Sequence, residues 1–253
     1  MADSSYLSQL LTLPEVRGAY LSPDGKWIAF NWVRRHENQD VFVVPVNGSI
    51  PPLAMTHTPE ATSFVNWLPD TSGILVEEDH DRDEFTRLFL VTLDKPEVMA
   101  PLTEDRPPYF LRGGSMLPDK QSIVYGANFD FDSESVLEET CIYLHNLQTE
   151  NRIQLARPLK PGTRSIRLNR QGSMLLYDRK DRNPAGAQVH LLDLANREDR
   201  ELLNFGDAVK TFASWFPDGE RILVLTESKD GSAQGYNSLG VYDLNTETLE
   251  WLV

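Results

Sequence analysis

Five times along this chain an apolar strand, a tight turn and a second apolar strand recur, most clearly in Ala19-Tyr20-Leu21-Ser22-Pro23-Asp24-Gly25-Lys26-Trp27-Ile28-Ala29-Phe30. Aligning Pro23, Pro69, Pro118, Arg170 and Pro217 gives spacings of 46, 49, 52 and 47 residues. That is close to the period of propeller blades. In the first block Pro23 presets φ, Asp24 bonds locally and Gly25 accepts the reversal, so the block reads as a hairpin corner. The second block varies the turn as Pro69-Asp70-Thr71-Ser72-Gly73, and the fifth repeats it as Pro217-Asp218-Gly219. The third keeps Pro118-Asp119-Lys120 without a glycine; the fourth, Asn169-Arg170-Gln171-Gly172, keeps the glycine and loses proline and aspartate.

Each hairpin is followed by a variable loop and a third apolar strand: residues 40–44, 87–91, 141–144, 189–192 and 239–242. A short polar turn then leads to a fourth strand, as in Arg152-Ile153-Gln154-Leu155. Four antiparallel strands per repeat make one blade. The expected fold class is all-β, a β-propeller of about five four-stranded antiparallel blades over residues 19–56, 64–103, 112–155, 165–203 and 212–253. Residues 1–18, including Tyr6 to Leu11, are expected to form an arm or a short helix. A generic β-sandwich gives no reason for turn chemistry to return at a near-constant period. Five blades fit either a partial arc of a seven- or eight-bladed ring or a small closed ring.

Charge narrows the partners. The chain of 253 residues carries a formal net charge of −14, which argues against a phosphate backbone, whose binding needs clustered Lys and Arg. No nucleic acid partner is expected. No apolar run approaches the roughly 20 residues of a membrane-spanning helix, so no membrane partner is expected either. The start, Met1-Ala2-Asp3-Ser4-Ser5-Tyr6, lacks a charged and apolar leader, and Cys141 is the only cysteine. Both lead to the expectation of a cytoplasmic location.

The block Leu21 to Phe30 resembles the Pro-Asp-Gly repeat of TolB-type propellers and of the noncatalytic propeller in the prolyl oligopeptidase family. Leu13-Pro14-Glu15-Val16-Arg17-Gly18 is similar to the approach to the propeller in acylaminoacyl-peptidase-like members. Asp81-Arg82-Asp83-Glu84-Phe85-Thr86-Arg87-Leu88-Phe89 is similar to their Asp-Gly-Asp-Glu element, with Arg82 in place of the glycine. The resemblance implies an N-terminal propeller over an α/β-hydrolase domain that carries a Ser, Asp and His triad, with this chain truncated before that domain. The implied function is to gate the access of short peptides to that hydrolase domain and to dock on it. The alternative is a stand-alone TolB-like interaction scaffold. A third reading, glycoside chemistry on loop carboxylates, needs two carboxylates across a central pocket.

No catalytic residue is assigned in this chain. A nucleophile elbow needs Gly-x-Ser-x-Gly on a strand-to-helix turn, and Gly113-Gly114-Ser115-Met116-Leu117 lacks the final glycine and reads as a strand. The candidate partner- or peptide-facing residues are acidic loop positions: Glu77, Glu78, Asp79, Asp81, Asp83 and Glu84 on the second blade, and Asp130, Asp132 and Glu134 on the third. Glu138 and Glu139 add further charge there. Such runs attract a cationic partner or a peptide amino end, or simply stay solvated. Asp79, Asp81 and Asp83 begin like a calcium loop but fail at Glu84 and Leu90; Asn128, Asp130, Asp132 and Glu139 fit the spacing better, with Ser133 where glycine belongs. The histidines at 36, 57, 80, 145 and 190 show no zinc spacing. Neither a metal nor a cofactor is expected. Trp27, Trp67, Trp215 and Trp251 are expected in the core, Trp32 is expected to be the most exposed tryptophan, and Arg34 and Arg35 beside it are carboxylate-binding candidates or solvated. Cys141 reads as a buried apolar residue. Exposed blade edges would invite self-association.

Overall fold

The computed structural model describes residues 12–162, 164–229 and 237–252; Tyr6 to Leu11, expected as an arm or helix, lie outside the described residues. Twenty strands form five four-stranded antiparallel sheets, with no helix among the described residues. These are five β-propeller blades, the all-β class that the repeat period predicts. Within each sheet consecutive strands are neighbours, so every blade is a meander. No helix of the described chain is long and apolar enough to cross a membrane.

The first compact unit, Met1–Pro107, holds two blades. Blade one is β1 (Glu15–Leu21), β2 (Trp27–Val33), β3 (Gln39–Pro45) and β4 (Leu53–Ala54). Blade two is β5 (Ala61–Trp67), β6 (Gly73–Asp79), β7 (Thr86–Thr92) and β8 (Lys95–Pro101). The second unit, Pro108–Val253, holds three. Blade three is β9 (Leu111–Met116), β10 (Ser122–Asp130), β11 (Ser135–Asn146) and β12 (Arg152–Ala156). Blade four is β13 (Arg164–Leu168), β14 (Met174–Arg179), β15 (Gln188–Asp193) and β16 (Glu198–Leu203). Blade five is β17 (Thr211–Trp215), β18 (Arg221–Thr226), β19 (Ser238–Asp243) and β20 (Thr248–Trp251).

Several boundaries differ from the sequence expectation, most at β1 and β11. Strand β1 begins at Glu15, inside the segment 1–18 assigned to an arm, because Glu15, Val16 and Arg17 continue the ladder opposite Val33, Trp32 and Asn31. Strand β11 begins at Ser135, well before Cys141. Past an irregularity in register, Phe129 and Asp130 of β10 pair with Val136 and Ser135, so polar residues extend the hairpin beyond the core.

The repeated turns show what the motif does physically. Asp24, Asp70, Asp119 and Asp218 each accept the backbone N–H two residues ahead, at 2.8–3.1 Å. The bonds from the Glu220 and Arg221 amides, joined by the Arg221 side chain, pull the exposed Asp218 carboxyl down to about 2. Blade four lacks the aspartate, and Asn169, one position before the aligned Arg170, accepts from Ser173 and Met174 instead. Ser22 of blade one uses that same position, accepting from Lys26 and Trp27. The next backbone step is left-handed in all five turns: Gly25 at φ 72°, Thr71 at 64°, Lys120 at 55°, Gly172 at 72° and Gly219 at 74°. In blade two the left-handed residue is therefore Thr71, and Gly73 serves another purpose.

An L-residue in this region costs about 1–2 kcal/mol, whereas glycine loses about 0.5–1 kcal/mol of chain entropy relative to alanine. Lys120→Gly, at an exposed position, is thus expected to stabilise the protein by up to about 1 kcal/mol, a rise of roughly 2–4 °C in Tm. Thermal unfolding followed by circular dichroism checks this; an unchanged or lowered Tm contradicts the strain argument.

The core lies between blades. In the first unit Val41 and Val43 of β3, Ile74 and Val76 of β6, and Val91 of β7 are fully buried and cluster with Met55 and Trp67, following the two-residue alternation of strands. In the second unit Val124, Ile142 and Leu175 cluster with Ile166, Tyr177 and Leu192, and Ile222 and Val224 pack with Leu176, Val189 and Leu191. Burying each such side chain contributes about 1.5–3 kcal/mol. The repeat tryptophans add a directional contact: Trp67 Nε1 donates to the Tyr20 carbonyl of the preceding blade at 2.8 Å, and Trp215 Nε1 donates to the Arg167 carbonyl at 2.9 Å. Of the expected core rings, Trp67 is buried while Trp27, Trp215 and Trp251 are half-buried.

Candidate functional site

The second-blade acidic segment divides into strand and loop. Glu77 and Glu78 lie within β6, opposite Leu88 and Arg87 of β7, and both are half-buried; they are strand residues rather than the loop positions expected. The loop turns inward on two of its own carboxylates. Asp79 accepts the Glu84 amide at 3.1 Å and Asp83 accepts the Phe85 amide at 2.9 Å. Asp81, Arg82 and Glu84 all hold left-handed backbone, at φ 53°, 61° and 66°. These three project into solvent, with the Asp81 side chain 83% exposed.

Beside this loop the fold gathers Glu60, His80 and Asp81, whose ligand-type atoms lie within 4.8 Å of one another. Glu60 lies far from His80 and Asp81 in sequence, which hides the grouping. The imidazole lies between the two carboxylates, with Nδ1 3.4 Å from Glu60 and Nε2 3.2 Å from Asp81. The Arg106 guanidinium also contacts Nε2. A fixed positive charge on that nitrogen opposes a cation there, so the cluster is a hydrogen-bonded brace for the loop.

On the third blade, Asp130 accepts the amides of Asp132 and Ser133 at 3.0 and 3.1 Å. The Ser133 amide leads in holding the Asp130 carboxyl below its ordinary range, against a smaller opposing effect of lost hydration, with the Asp132 amide and the Arg157 charge adding to it. Glu134 is exposed and left-handed, at φ 53°. The candidate calcium set is spent on other contacts. Asn128 accepts from the Phe110 amide and donates to the Leu137 carbonyl, while Glu139 holds Arg157 at 2.7 Å.

The same blade contains a polar cavity of about 130 Å³, lined by Asp130, Phe131, Asp132, Tyr143, Arg152, Gln154 and Arg157. Arg152 Nε donates to the Tyr125 hydroxyl at 2.8 Å, and the guanidinium carbon stands 4.4 Å from the Phe131 ring centre. Arg157 gives Nε and Nη2 to Glu139, leaving Nη1 3.9 Å from Asp130, beyond hydrogen-bond reach. Tyr143 donates its single hydroxyl proton to the Phe129 carbonyl at 2.6 Å, with Gln154 Oε1 3.2 Å away. Burial chiefly raises the Tyr143 pKa, so the phenol stays protonated. The cavity thus presents both donors and acceptors, with Asp132, Gln154 and Arg157 exposed. Sequence reading found its aspartates and missed Arg152 and Gln154, which alternate along β12 like an ordinary outer strand, and Arg157 just past its end.

Two histidine–aspartate pairs also escape the sequence pattern. His36 Nδ1 lies 2.8 Å from the fully buried Asp40, which also accepts from Thr56 at 3.0 Å, and the His36 ring stacks on His57 at 4.1 Å. In blade four His190 Nδ1 lies 3.1 Å from Asp199. Tyr177 and Arg179 share that same carboxylate, which ties the group into a structural network. Ser115 is buried on β9, as a strand serine should be. Cys141 is fully buried, and burial pushes its thiol up to about 11. Trp32 is half-buried, in the same class as Trp27, Trp215 and Trp251; its ring packs 5.0 Å from Phe42 and 5.8 Å from Phe30, with Arg35 5.5 Å from its centre. Arg34 donates to the Leu13 carbonyl at 2.7 Å.

Neither a family model nor a curated protein matches the chain. Solved structures do. TolB from Acinetobacter baumannii aligns at TM-score 0.64 and 16% identity, over 94% of this chain and 52% of that one. A putative TolB from Agrobacterium tumefaciens aligns at 0.65 and 14%, over 94% and 80%. An oligogalacturonate lyase in complex with manganese aligns at 0.66 and 12%, over 94% and 66%. The chain therefore spans about half the length of the Acinetobacter protein. At such identities the likeness is one of architecture alone, a β-propeller fold.

Proposed function

We propose that the chain is a noncatalytic TolB-like propeller that binds a partner through its β6–β7 loop. The observation that carries this reading is the backbone of that loop. Three non-glycine residues, Asp81, Arg82 and Glu84, hold left-handed conformations, a costly arrangement that surrounding contacts must maintain and that tends to accompany binding sites. Asp79, Asp83, Glu60 and Arg106 supply those contacts, and the outcome is a fixed display of Asp81 and Glu84. A cationic segment of a partner protein is the complementary surface.

The test compares Asp81→Asn/Glu84→Gln with a matched control, Glu198→Gln/Glu247→Gln, which removes equal charge at exposed positions elsewhere. A lysine-rich probe peptide is titrated into each at low and moderate salt. The loop pair is expected to weaken binding at least tenfold more than the control, with a shallower salt dependence. Equal weakening in both pairs overturns the reading, leaving only net charge at work.

A second reading is favoured by the segment leading into the first blade and by Asp81 to Phe89: a propeller that docks on an α/β-hydrolase domain and limits entry to short peptides. Under it, the reading frame is expected to continue past Val253 into a Gly-x-Ser-x-Gly elbow. An in-frame stop without that elbow overturns it.

A further inference from the structure

The sheet of blade five is apolar on both faces. Ala213, Ile222, Val224 and Tyr242 line one face and are buried in a cluster with blade four. On the other face Phe212 lies opposite Leu225, Leu225 opposite Leu239, and Leu223 opposite Val241. None of these five is buried, and Phe212 and Leu225 are 44% and 37% exposed. An antiparallel sheet with one solvated face turns polar residues to the water, so an apolar second face marks a contact surface. Blade one has a counterpart. Ala29, Val41 and Val43 cluster with blade two, while on the reverse face Leu21 lies opposite Ile28 and Ile28 opposite Val44. Leu21 is 60% exposed, with Ile28 and Val44 half-buried. Phe30 and Phe42, stacked 6.0 Å apart and packed against Trp32, form the floor of that patch.

We propose that these two faces are the halves of one interface and that a second copy of this chain supplies the partner, the blade-five face of one copy covering the blade-one face of the next. The residues differ from those of the β6–β7 loop, so the two readings stand or fall separately.

The contacts between neighbouring blades show which faces fit. In the first unit Trp67, two residues before Pro69, donates to the Tyr20 carbonyl of the preceding blade; in the second, Trp215, two residues before Pro217, donates to that of Arg167. The turn glycines press the same way. A Cβ at Gly172 would stand 2.3 Å from Pro118, and one at Gly219 would stand 2.0 Å from Gln171. Each interface thus joins the leading face of one blade to the trailing face of the blade before it. Blade one presents the same two positions to solvent: Leu21, two residues before Pro23, is exposed, and a Cβ at Gly25 meets nothing within 4 Å. Blade five presents an exposed trailing face.

Joining unlike faces makes the contact heterologous, so copies add head to tail in a closed ring or an open chain. The formal charge of −14 on every copy opposes their approach, and salt screens that repulsion. Self-association is therefore expected to strengthen with salt, the opposite of a lysine-rich peptide binding to the acidic loop.

Sedimentation velocity of the full chain from micromolar to submillimolar concentration, at low and moderate salt, tests the proposal. The unsubstituted chain is expected to form dimers or larger species as concentration rises. Leu21→Arg and Leu225→Arg, each spoiling one face, are expected to weaken self-association about tenfold or more. Val98→Arg, at a 61% exposed position of blade two, is expected to leave it unchanged. An equal mixture of Leu21→Arg and Leu225→Arg is expected to restore a dimer and nothing larger, because each variant keeps the face that the other lost. A contact between like faces would instead leave one variant self-associating by itself. Leu21→Ser and Phe212→Ser take the same places if an arginine lowers the unfolding midpoint. A chain that is monomeric at every concentration, a mixture of folded variants that stays monomeric, or either variant self-associating as strongly as the unsubstituted chain overturns the proposal.

Discussion

Asp199→Ala is expected to lower stability by about 3 kcal/mol, within the range for breaking a partly buried charge network. This carboxylate is the meeting point of three side chains in blade four. Tyr177 donates to Oδ2 at 2.7 Å, Arg179 Nη1 reaches the same oxygen at 2.8 Å, and His190 Nδ1 lies 3.1 Å from Oδ1. Arg179 extends the chain to Asp181, which accepts the Leu159 and Lys160 amides. Removing Asp199 strands a Tyr177 hydroxyl on a side chain only 1% exposed, at about 1–3 kcal/mol, and leaves the half-buried Arg179 with one carboxylate partner. The site is partly open to solvent, which screens the charge and keeps the expected loss below the 5 kcal/mol upper end.

The same carboxylate gives a pH dependence with a definite sign. Burial alone would raise the Asp199 pKa, but hydrogen bonds from His190 and Tyr177, with the His190 and Arg179 charges, outweigh it and hold the carboxyl below its ordinary range. A folded pKa below the unfolded value of about 3.9 means that the contribution is complete above that pH and is lost as pH falls through the folded value. Urea unfolding at pH 7 and pH 3 should therefore show the gap between wild type and Asp199→Asn narrowing in acid. A gap under about 1 kcal/mol for Asp199→Ala at pH 7 contradicts the network account.

Much of this architecture was legible because strand and turn chemistry is local. Pro-Asp-Gly and its variants mark each hairpin, and the apolar runs at 40–44, 87–91, 189–192 and 239–242 fall within β3, β7, β15 and β19. What escaped depends on pairing across strands. Asp199 meets His190 diagonally, since His190 lies opposite Glu201 and Asp199 opposite Leu192; neither neighbour is adjacent in sequence. Arg152, Gln154 and Arg157 join Asp130 only because β12 pairs with β11, which pairs in turn with β10. The substitute cap Asn169 was hidden for a smaller reason: it sits at the place of Ser22 rather than that of Asp24, and only the hydrogen bonds show the two positions to be alternatives.

Gly73 turns the motif into a quantitative test. In sequence it looks like the turn glycine of blade two, yet Thr71 takes the left-handed step and Gly73 opens β6 opposite Thr92 of β7. A Cβ there would stand 2.5 Å from the Val91 carbonyl oxygen and 3.0 Å from Thr92 Cα. Both obstacles are backbone, held by the ladder and by the Leu93 amide bonding to the Ser72 carbonyl at 2.9 Å, so no side chain can swing aside. Overpacking of this kind costs about 1–3 kcal/mol, and the rigid neighbours put Gly73→Ala near the upper value. Gly25→Ala is the informative comparison, because a Cβ at Gly25 meets nothing within 4 Å and only the φ of 72° opposes it, at about 1–2 kcal/mol. Urea unfolding of both variants is expected to rank Gly73→Ala as the more destabilised. The reverse order would mean that the β6 and β7 backbones yield readily to the added Cβ and that the left-handed step at Gly25 costs more.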